Sequence, residues 1–156
     1  PILGIIYSPI SKDFYYSFKN NGAFILKENS NPRKIISQKM SKTNPNKIFT
    51  SSSIRQKVLE VLAGSIINYE FIKKSSALKF GNIASGAGCF YPRLGPTHEW
   101  DTAAGQILVE EAGGIVVDKF MRPLRYNKNK TFLNKEFFVI SDPDYDWEPI
   151  VNAIFE

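Results

Sequence analysis

The sequence predicts an α/β fold in which sheets and helices form layers, and three observations support this prediction. Short apolar runs rich in β-branched and aromatic residues recur along the chain, as is typical of strands. From Lys47 onward these runs alternate with segments whose apolar residues recur every three or four positions, the spacing of an amphipathic helix. Asn20-Asn21-Gly22 separates two of the first runs and predicts a tight hairpin turn. A meander followed by alternating strands and helices is typical of an α+β layered architecture.

The strands are expected at the apolar runs. The first run, residues 2–7, is apolar throughout except for Gly4. Such a continuous run is typical of a buried strand. The next two strands flank the Asn-Gly turn and complete the meander. The full set of predicted strands covers residues 2–7, 13–19, 23–27, 33–37, 47–51, 66–73, 89–93, 115–118 and 137–141.

Each predicted helix has apolar residues at a spacing of three or four. Ser53 and Ser76 are suitable caps for the first two helices, and Gly64 is a suitable stop for the first. The third helix is expected to start at Asp101, and a last helix covers residues 146–155. The inward residues of the first two helices are predicted to be Ile54, Val58, Val61 and Leu62, and Leu78, Phe80, Ile83 and Ala84.

The composition indicates a single globular domain. The chain has 156 residues, of which 43% are hydrophobic and 22% charged, so it can bury a core and is not of the disordered class. The net charge of +5 suits a phosphorylated substrate, although many soluble proteins carry a similar surplus. Neither the cysteine spacing of a zinc site nor the aromatic motif of an RNA-binding domain is present, so nucleic acid is not expected as a partner.

The single cysteine and the lack of long apolar runs indicate the cellular compartment in which the protein is expected. Cys89 excludes an intrachain disulfide, and its apolar surroundings in the sequence predict a core residue rather than a reactive thiol. No apolar run approaches the roughly 18 residues that a membrane span needs, and no signal segment opens the chain. We therefore expect a cytoplasmic protein without a membrane span.

The most informative stretch covers residues 91–114. Pro92, Gly95 and Pro96 interrupt regular structure, and Asp101 then precedes an apolar helical pattern that ends at two glycines. A carboxylate in the first helical turn is favoured by the free N–H groups there, so Asp101 is interpreted equally well as a helix cap. Ala103, Ala104 and Gly105 keep the helix start slim, which lets another group approach it closely.

These residues resemble a known signature. Trp-Asp-x-Ala-Ala-Gly at 100–105, followed by Glu-Ala-Gly-Gly, resembles that of the inositol monophosphatase-like superfamily of metal-dependent phosphatases. Ser76 with Lys79, Tyr-Pro-Arg-Leu-Gly-Pro-Thr at 91–97 and the opening Pro-Ile-Leu-Gly-Ile-Ile-Tyr-Ser-Pro are similar to its 3'(2'),5'-bisphosphate nucleotidase branch, of the CysQ type. The resemblance covers residues 1–138.

The resemblance implies both a reaction and a site. It implies Mg²⁺-dependent removal of the 3'-phosphate from 3'-phosphoadenosine 5'-phosphate, with an inositol monophosphate or a sugar bisphosphate as the alternative substrate. Asp101 would be the catalytic and metal-binding residue, and Ser76, Lys79 and Arg93 would bind the substrate. From the residues alone, Lys79 is an exposed helix lysine and Arg93 a solvated strand end. The sole histidine, His98, is not expected to act as a general base, and Glu99 is a first-turn charge.

The chain departs from the family pattern in two respects. Family members carry, upstream, a glutamate pair and an Asp-Pro-x-Asp-Gly-Thr motif that supply most metal ligands, and residues 142–145 do not match that motif. We therefore expect residues 1–156 to be the C-terminal half to two-thirds of a phosphatase, inactive alone, with the missing half or a homodimer partner completing it. Ile54 stands where the family often has a substrate-contacting histidine. A non-catalytic nucleotide- or phosphate-binding module remains the alternative of another class.

Overall fold

The computed structural model describes residues 1–74 and 76–156. Residues 3–35 form an antiparallel sheet, called sheet A here, with the strand order β1-β2-β3-β4. Asn20 and Gly22 adopt positive φ angles of 65° and 89° between the second and third strands, so the predicted hairpin turn is confirmed. The strands are β1 (Leu3–Ser8), β2 (Asp13–Phe18), β3 (Gly22–Leu26) and β4 (Arg33–Ile35).

The rest of the chain builds a second sheet, called sheet B, with the strand order β6-β5-β7-β11-β9. Its strand β5 runs parallel to β6 and β7, whereas β11 runs antiparallel to β7 and β9. Its strands are β5 (Asn46–Thr50), β6 (Tyr69–Lys73), β7 (Phe90–Arg93), β9 (Ile115–Asp118) and β11 (Phe137–Ile140). A separate pair, β8 (Thr97–His98) and β10 (Leu133–Asn134), was not predicted, because two residues are too short for a periodic pattern.

The helices separate and cover the sheets. They are α1 (Gln56–Ser65), α2 (Leu78–Ala84), α3 (Glu99–Glu111) and α4 (Glu148–Phe155). One core cluster joins the inner face of sheet A, through Tyr15 and Ile25, to Phe80 of α2, Leu108 of α3 and Phe137 of sheet B. A second cluster joins the other face of sheet B to α1 and α4. The order of layers is therefore sheet A, then α2 and α3, then sheet B, then α1 and α4, which confirms the predicted α/β layered fold.

Two glycines set the spacing of the first layers. A Cβ on Gly4 of β1 would lie 2.4 Å from the carbonyl oxygen of Ala104 in α3. A Cβ on Gly105 would lie 2.3 Å from Cγ of Phe80 in α2. The slim start of α3 thus serves the approach of β1 and α2, and packing within the protein accounts for it without any ligand.

Three predicted helix starts are wrong by a few residues. Residues 51–54 form a turn in which Ile54 N–H donates to the Ser51 carbonyl over 3.3 Å, so Arg55 and not Ser53 caps α1. Ala77 caps α2, because Ser76 adopts a positive φ of 61°. His98 caps α3, so the interpretation of Asp101 as the N-cap is wrong, whereas its predicted place in the first turn is confirmed. The helical pattern located each helix, but the preceding turns decided where it begins.

The other boundaries follow the prediction closely, with two exceptions. Helix α1 runs through Gly64 to Ser65, since Ile66 N–H still donates to the Leu62 carbonyl over 2.9 Å. This continuation delays β6 until Tyr69, three residues after the predicted start. Five of the eight predicted inward residues are fully buried, namely Val58, Leu62, Phe80, Ile83 and Ala84. Val61 and Leu78 are partly buried against the core clusters, and Ile54 is partly buried but precedes α1.

The prediction that β1 is a buried strand holds for one of its faces only. Its residues alternate, so that Gly4, Ile6 and Ser8 are buried while Leu3, Ile5 and Tyr7 are exposed. The inner residues face α3, and nothing among the described residues covers the outer ones.

Cys89 lies in the core as predicted, and burial raises the pKa of its thiol to about 12. Of the helices in the described ranges, none has both the length and the apolar character to cross a bilayer.

Candidate active site

A pocket of about 590 Å³ lies where four elements of different layers meet. Strand β1 contributes Ile5 and Ile6, and strand β7 contributes Tyr91 and Arg93. Helix α2, the residues before it and the first turn of α3 complete the wall, with Ser76, Lys79 and Asp101. The four residues that the sequence singled out, Ser76, Lys79, Arg93 and Asp101, therefore share one pocket although 25 positions separate the first from the last in the chain.

Lys79 is buried, with only 3% of its surface exposed. Its Nζ donates to the carbonyl oxygens of Lys74 and Ser76, each over 3.1 Å, and lies 4.5 Å from the centroid of the Tyr91 ring. Burial, with a smaller contribution from the charge of Arg93, lowers the pKa of this ammonium to about 8. The sequence alone favoured an exposed helix lysine, and this interpretation is wrong because the same turn buries Phe80 in the core.

Arg93 is the second cation of the pocket. One terminal nitrogen donates to the carbonyl oxygen of Pro96 over 3.1 Å. Its Nε is buried and has no hydrogen-bond partner among residues 1–74 and 76–156. An unpaired buried donor is costly, and a phosphate oxygen is the acceptor that a guanidinium binds best. No ion pair to Lys79 or Arg93 is found in the described part of the chain, so neither cation is paired with a carboxylate there.

A smaller cavity of about 330 Å³ shares Ser76, Lys79 and Arg93 with the main pocket. Its other lining residues come from the ends of two neighbouring strands of sheet B, and they are Ser51, Ser52, Ser53, Lys73 and Lys74. Sequence reasoning did not select the two lysines, because nothing in the sequence shows that β5 and β6 are adjacent and parallel. Ile54, at the position of the family histidine, packs partly buried against the second core cluster and does not line this cavity.

Asp101 lines the same pocket from the first turn of α3. Its Oδ2 accepts a hydrogen bond of 2.8 Å from the backbone N–H of His98, so the carboxylate satisfies a free donor at the helix start. Half of the side-chain surface is exposed. One oxygen therefore stabilises the helix start, while the exposed remainder of the side chain lies at the pocket wall.

The pocket offers few side-chain ligands to a metal ion. Magnesium takes oxygen ligands and often binds through one or two carboxylates together with substrate phosphate and water. Asp101 is a suitable ligand of this kind. Across residues 1–74 and 76–156 no cluster of three or more acidic, histidine or cysteine side chains could hold a metal. The described residues therefore fit one ligand of a metal site and leave the other ligands to be supplied.

The neighbours of Asp101 have structural roles. The ring of His98 stacks on Trp100 at 4.4 Å and 4°, and Trp100 also contacts Phe132. Both carboxylate oxygens of Glu99 accept from the backbone N–H of Asn127, at 3.1 and 3.0 Å, which ties a long loop to the helix start. Glu99 was predicted as a first-turn charge, and its position is confirmed, although it is buried.

A sequence model of the inositol monophosphatase family matches residues 1–144. The chain belongs to the inositol monophosphatase family. The membership predicted from the Trp100-Asp101 signature is thereby confirmed.

Several relatives of this chain share the name 3'(2'),5'-bisphosphate nucleotidase CysQ. The 3'(2'),5'-bisphosphate nucleotidase CysQ of Haemophilus influenzae is 32% identical over 151 residues, which cover 96% of this chain and 56% of the relative. The CysQ of Aggregatibacter actinomycetemcomitans is 34% identical over 154 residues, 98% of this chain and 57% of the relative. The chain thus spans a little over half the length of these two relatives.

Solved structures agree on the fold. CysQ from Bacteroides thetaiotaomicron, described as a bacterial member of the inositol monophosphatase family, has a TM-score of 0.76 at 27% identity, over 92% of this chain and 59% of that one. An inositol monophosphatase from Zymomonas mobilis has the same TM-score at 22% identity, over 100% and 58% of the two chains. The second likeness shows the fold alone.

Proposed function

We propose that this chain is the substrate-binding part of a Mg²⁺-dependent phosphatase, which removes the 3'-phosphate from 3'-phosphoadenosine 5'-phosphate and releases AMP and phosphate. Buried Lys79 beside Arg93, with no carboxylate paired to either in the described residues, is the observation that carries the proposal. The name of the CysQ relatives supports the same substrate class.

The arrangement of cations supports a substrate with two phosphates. Lys79 and Arg93 adjoin both cavities, and Lys73 and Lys74 line only the smaller one. A bisphosphate would place one phosphate between Lys79 and Arg93 and bring the second toward the two other lysines. An inositol monophosphate carries one phosphate and would leave those lysines unused, so we rank it second.

In the proposed reaction, the oxygen of a water molecule bonds to phosphorus while the bond between phosphorus and the 3'-oxygen breaks. The leaving oxygen then takes a proton. Asp101 would hold the metal, and Mg²⁺ supplies charge neutralisation at the phosphoryl oxygens and activation of the water. Lys79 and Arg93 hold the substrate in place and offset its negative charge. Because Asp101 is one ligand among the several that such a site needs, we propose that the chain alone is inactive and that a further segment or chain completes it.

The first experiment is binding of 3'-phosphoadenosine 5'-phosphate to the isolated chain by calorimetry. A charge-assisted hydrogen bond contributes about 1.5–3 kcal/mol, so Lys79→Ala and Arg93→Ala should each weaken binding about 10- to 100-fold. Lys57→Ala and Arg33→Ala, which remove exposed cations outside the pocket, are the matched controls and should leave the affinity unchanged. Equal affinities in all four variants would refute the assigned binding site.

The second experiment is phosphate release, with Mg²⁺ and with a chelator. We expect none from the isolated chain. A chimera that joins this chain to the part of Haemophilus influenzae CysQ that it does not match should release phosphate from the nucleotide, and Asp101→Asn should abolish that release. Faster phosphate release from inositol 1-phosphate than from the nucleotide would contradict the assignment of 3'-phosphoadenosine 5'-phosphate as the substrate. Nucleotide binding without turnover, even in a folded chimera, would favour the non-catalytic binding module.

A further inference from the structure

A second cavity, of about 540 Å³, lies outside the candidate active site. Among the described residues, none lines both this cavity and the main pocket that contains Asp101. Its volume is within the range of small-molecule sites, which is roughly 300–1,000 Å³. Residues between 118 and 135 form its wall together with Glu99 of α3. Four basic side chains line it, and they are Arg122, Arg125, Lys128 and Lys135.

The fold separates the basic side chains of this segment into two groups. Six lysines and arginines occur between positions 119 and 135, and their irregular spacing is compatible with a solvated loop. In the structure, four of the six line one cavity. The other two lie outside it. Lys119 Nζ is 5.2 and 5.4 Å from the ring centroids of Phe120 and Phe155, and Lys130 is an exposed loop residue.

Both carboxylates of the cavity are engaged within the protein. Asp118 Oδ2 accepts from Nε and a terminal nitrogen of Arg122, over 3.0 and 2.8 Å. Its Oδ1 accepts from the backbone N–H groups of Phe120 and Arg122. Glu99 is only 9% exposed, and both of its oxygens accept from the backbone N–H of Asn127. The negative charge of each carboxylate is therefore already stabilised by donors of the chain itself.

The three other cations of the cavity have no such partner. Within residues 1–74 and 76–156, no ion pair to Arg125, Lys128 or Lys135 is found. A cleft lined by charges of one sign raises the local concentration of ions of the opposite sign. The guanidinium of Arg125 can donate two parallel hydrogen bonds to a phosphate, and each ammonium adds a point charge. The cavity is therefore suited to an anion that carries several negative charges.

The backbone on both sides of Arg125 is tied to helix α3. Gln106 Nε2 donates to the Leu124 carbonyl over 3.1 Å, and Gln106 Oε1 accepts from the Tyr126 hydroxyl over 2.6 Å. Arg125 lies between these two attached residues in the chain. Its position at the cavity is therefore set by the fold and does not have to be found when a ligand binds.

Lys128 and Lys135 are placed in the same way. The residue before Lys128 donates its backbone N–H to Glu99 of α3. The residue before Lys135 is Asn134, whose side-chain amide donates to the His98 carbonyl over 2.8 Å. All three cations without a carboxylate partner thus follow directly after residues that are attached to α3 or to its cap. A pre-organised set of this kind loses less conformational entropy on binding than a free loop does.

We propose that this cavity is a second anion site, which binds the diphosphate group of a small polyanion through Arg125, Lys128 and Lys135. The inference goes beyond the proposed function, since it concerns a different cavity and does not depend on the reaction. A diphosphate is favoured over a single phosphate because the three cations belong to separate parts of the wall. Two linked phosphates can reach more of them than one phosphate can.

The test is calorimetric titration of the whole chain with inorganic pyrophosphate. A chelator is present, so that no divalent metal binds the ligand in solution. The wild-type chain should bind pyrophosphate. In an isotope-labelled sample, the amide resonances of residues 122–135 should shift during the same titration. ADP is titrated in parallel. Tighter binding of ADP than of pyrophosphate would identify a nucleoside diphosphate as the ligand, whereas equal or weaker binding would identify a free polyphosphate.

Two double variants form a matched pair. Arg125→Ala/Lys128→Ala removes two cations of the cavity, and Lys119→Ala/Lys130→Ala removes two exposed cations of the same segment outside it. Both variants lose the same net charge, so any nonspecific effect of charge is equal in them. The first should weaken pyrophosphate binding at least about tenfold, and the second less than about threefold. Circular dichroism verifies that both variants fold.

Three results would overturn the inference. These are the absence of pyrophosphate binding to the wild-type chain, equal losses in the two double variants, and loss of all pyrophosphate binding in Arg93→Ala. Equal losses would identify the segment as a solvated basic loop. Loss in Arg93→Ala would place pyrophosphate in the main pocket. The proposed function fails separately, through unchanged nucleotide affinity in Lys79→Ala and Arg93→Ala, and that result would leave the second site in place.

Discussion

Sheet A and sheet B differ in how many of their faces are covered. Helices α2 and α3 cover one face of sheet B, and α1 and α4 cover the other, so Phe90 and Phe138 are fully buried. Within residues 1–74 and 76–156, sheet A is covered on its inner face alone, and its outer face leaves Leu3 and Tyr7 about half exposed. The two sheets have similarly apolar strands. The apolar composition of a strand therefore shows only that the strand can be buried. Whether it is buried depends on the layers that pack against its sheet.

The largest expected difference between the sheets is in stability. Phe138 stacks on Phe90 at 5.8 Å and contacts α4, and Phe138→Ala should lower the free energy of unfolding by about 3–5 kcal/mol. Tyr16→Ala on the outer face of sheet A should cost less than about 1 kcal/mol in the isolated chain, because little cavity forms at a partly exposed surface. Denaturant unfolding of both variants measures the difference. Equal losses would mean that the outer face is already covered in solution.

A smaller effect should show that the inner face of sheet A is packed as tightly as sheet B. Gly4→Ala forces a Cβ to within 2.4 Å of the Ala104 carbonyl oxygen, a backbone atom that cannot move aside. Overpacking of this kind costs about 1–3 kcal/mol. Gly64→Ala is the control, since a Cβ there meets nothing within 4 Å in a helix, and it should stabilise the chain by about 0.5–1 kcal/mol. Thermal unfolding distinguishes the two, and a stable Gly4→Ala variant would contradict the tight packing of β1 on α3.

The smallest expected effect concerns Lys79, which lies in the layer between the sheets. Because its pKa is about 8 when folded and near 10.5 when unfolded, the unfolded chain binds more protons between these values. The free energy of unfolding of the wild type should therefore rise with pH in that window, relative to Lys79→Met, by an amount on the order of 1–2 kcal/mol. Denaturant unfolding at a series of pH values tests this. A constant difference between the two proteins would show that Lys79 titrates normally.

The lowered pKa of Lys79 also predicts how binding of the proposed ligand should depend on pH. Lys79 carries its charge below a pH of about 8 and loses it above, so binding of 3'-phosphoadenosine 5'-phosphate should weaken as the pH rises through that value. We expect the loss to approach about tenfold between pH 7 and pH 9 if the charged form alone binds. Calorimetry with Lys57→Ala as the reference measures it. An affinity that is independent of pH would remove Lys79 from the binding site.

Much of the site could be predicted from the sequence, but its electrostatics could not. The Trp100-Asp101 signature and the Ser76, Lys79 and Arg93 positions identified the residues that share one pocket. The burial of Lys79 was missed, since a lysine three residues after a serine is compatible with either face of a short helix. The contribution of Lys73 and Lys74 was missed as well, because it depends on the parallel pairing of β5 with β6.

By itself, the sequence determined the order and type of the main strands and helices, the layered fold and the family, because these depend on local periodicity and on short motifs. The tertiary structure decided where each helix begins, since the turns before α1, α2 and α3 fix those starts through backbone hydrogen bonds and φ angles. It also decided which apolar faces are covered. A continuous apolar strand such as β1 is suited to burial on both sides, but whether a second layer lies over it depends on groups distant in the chain, or outside it, and no local pattern encodes them.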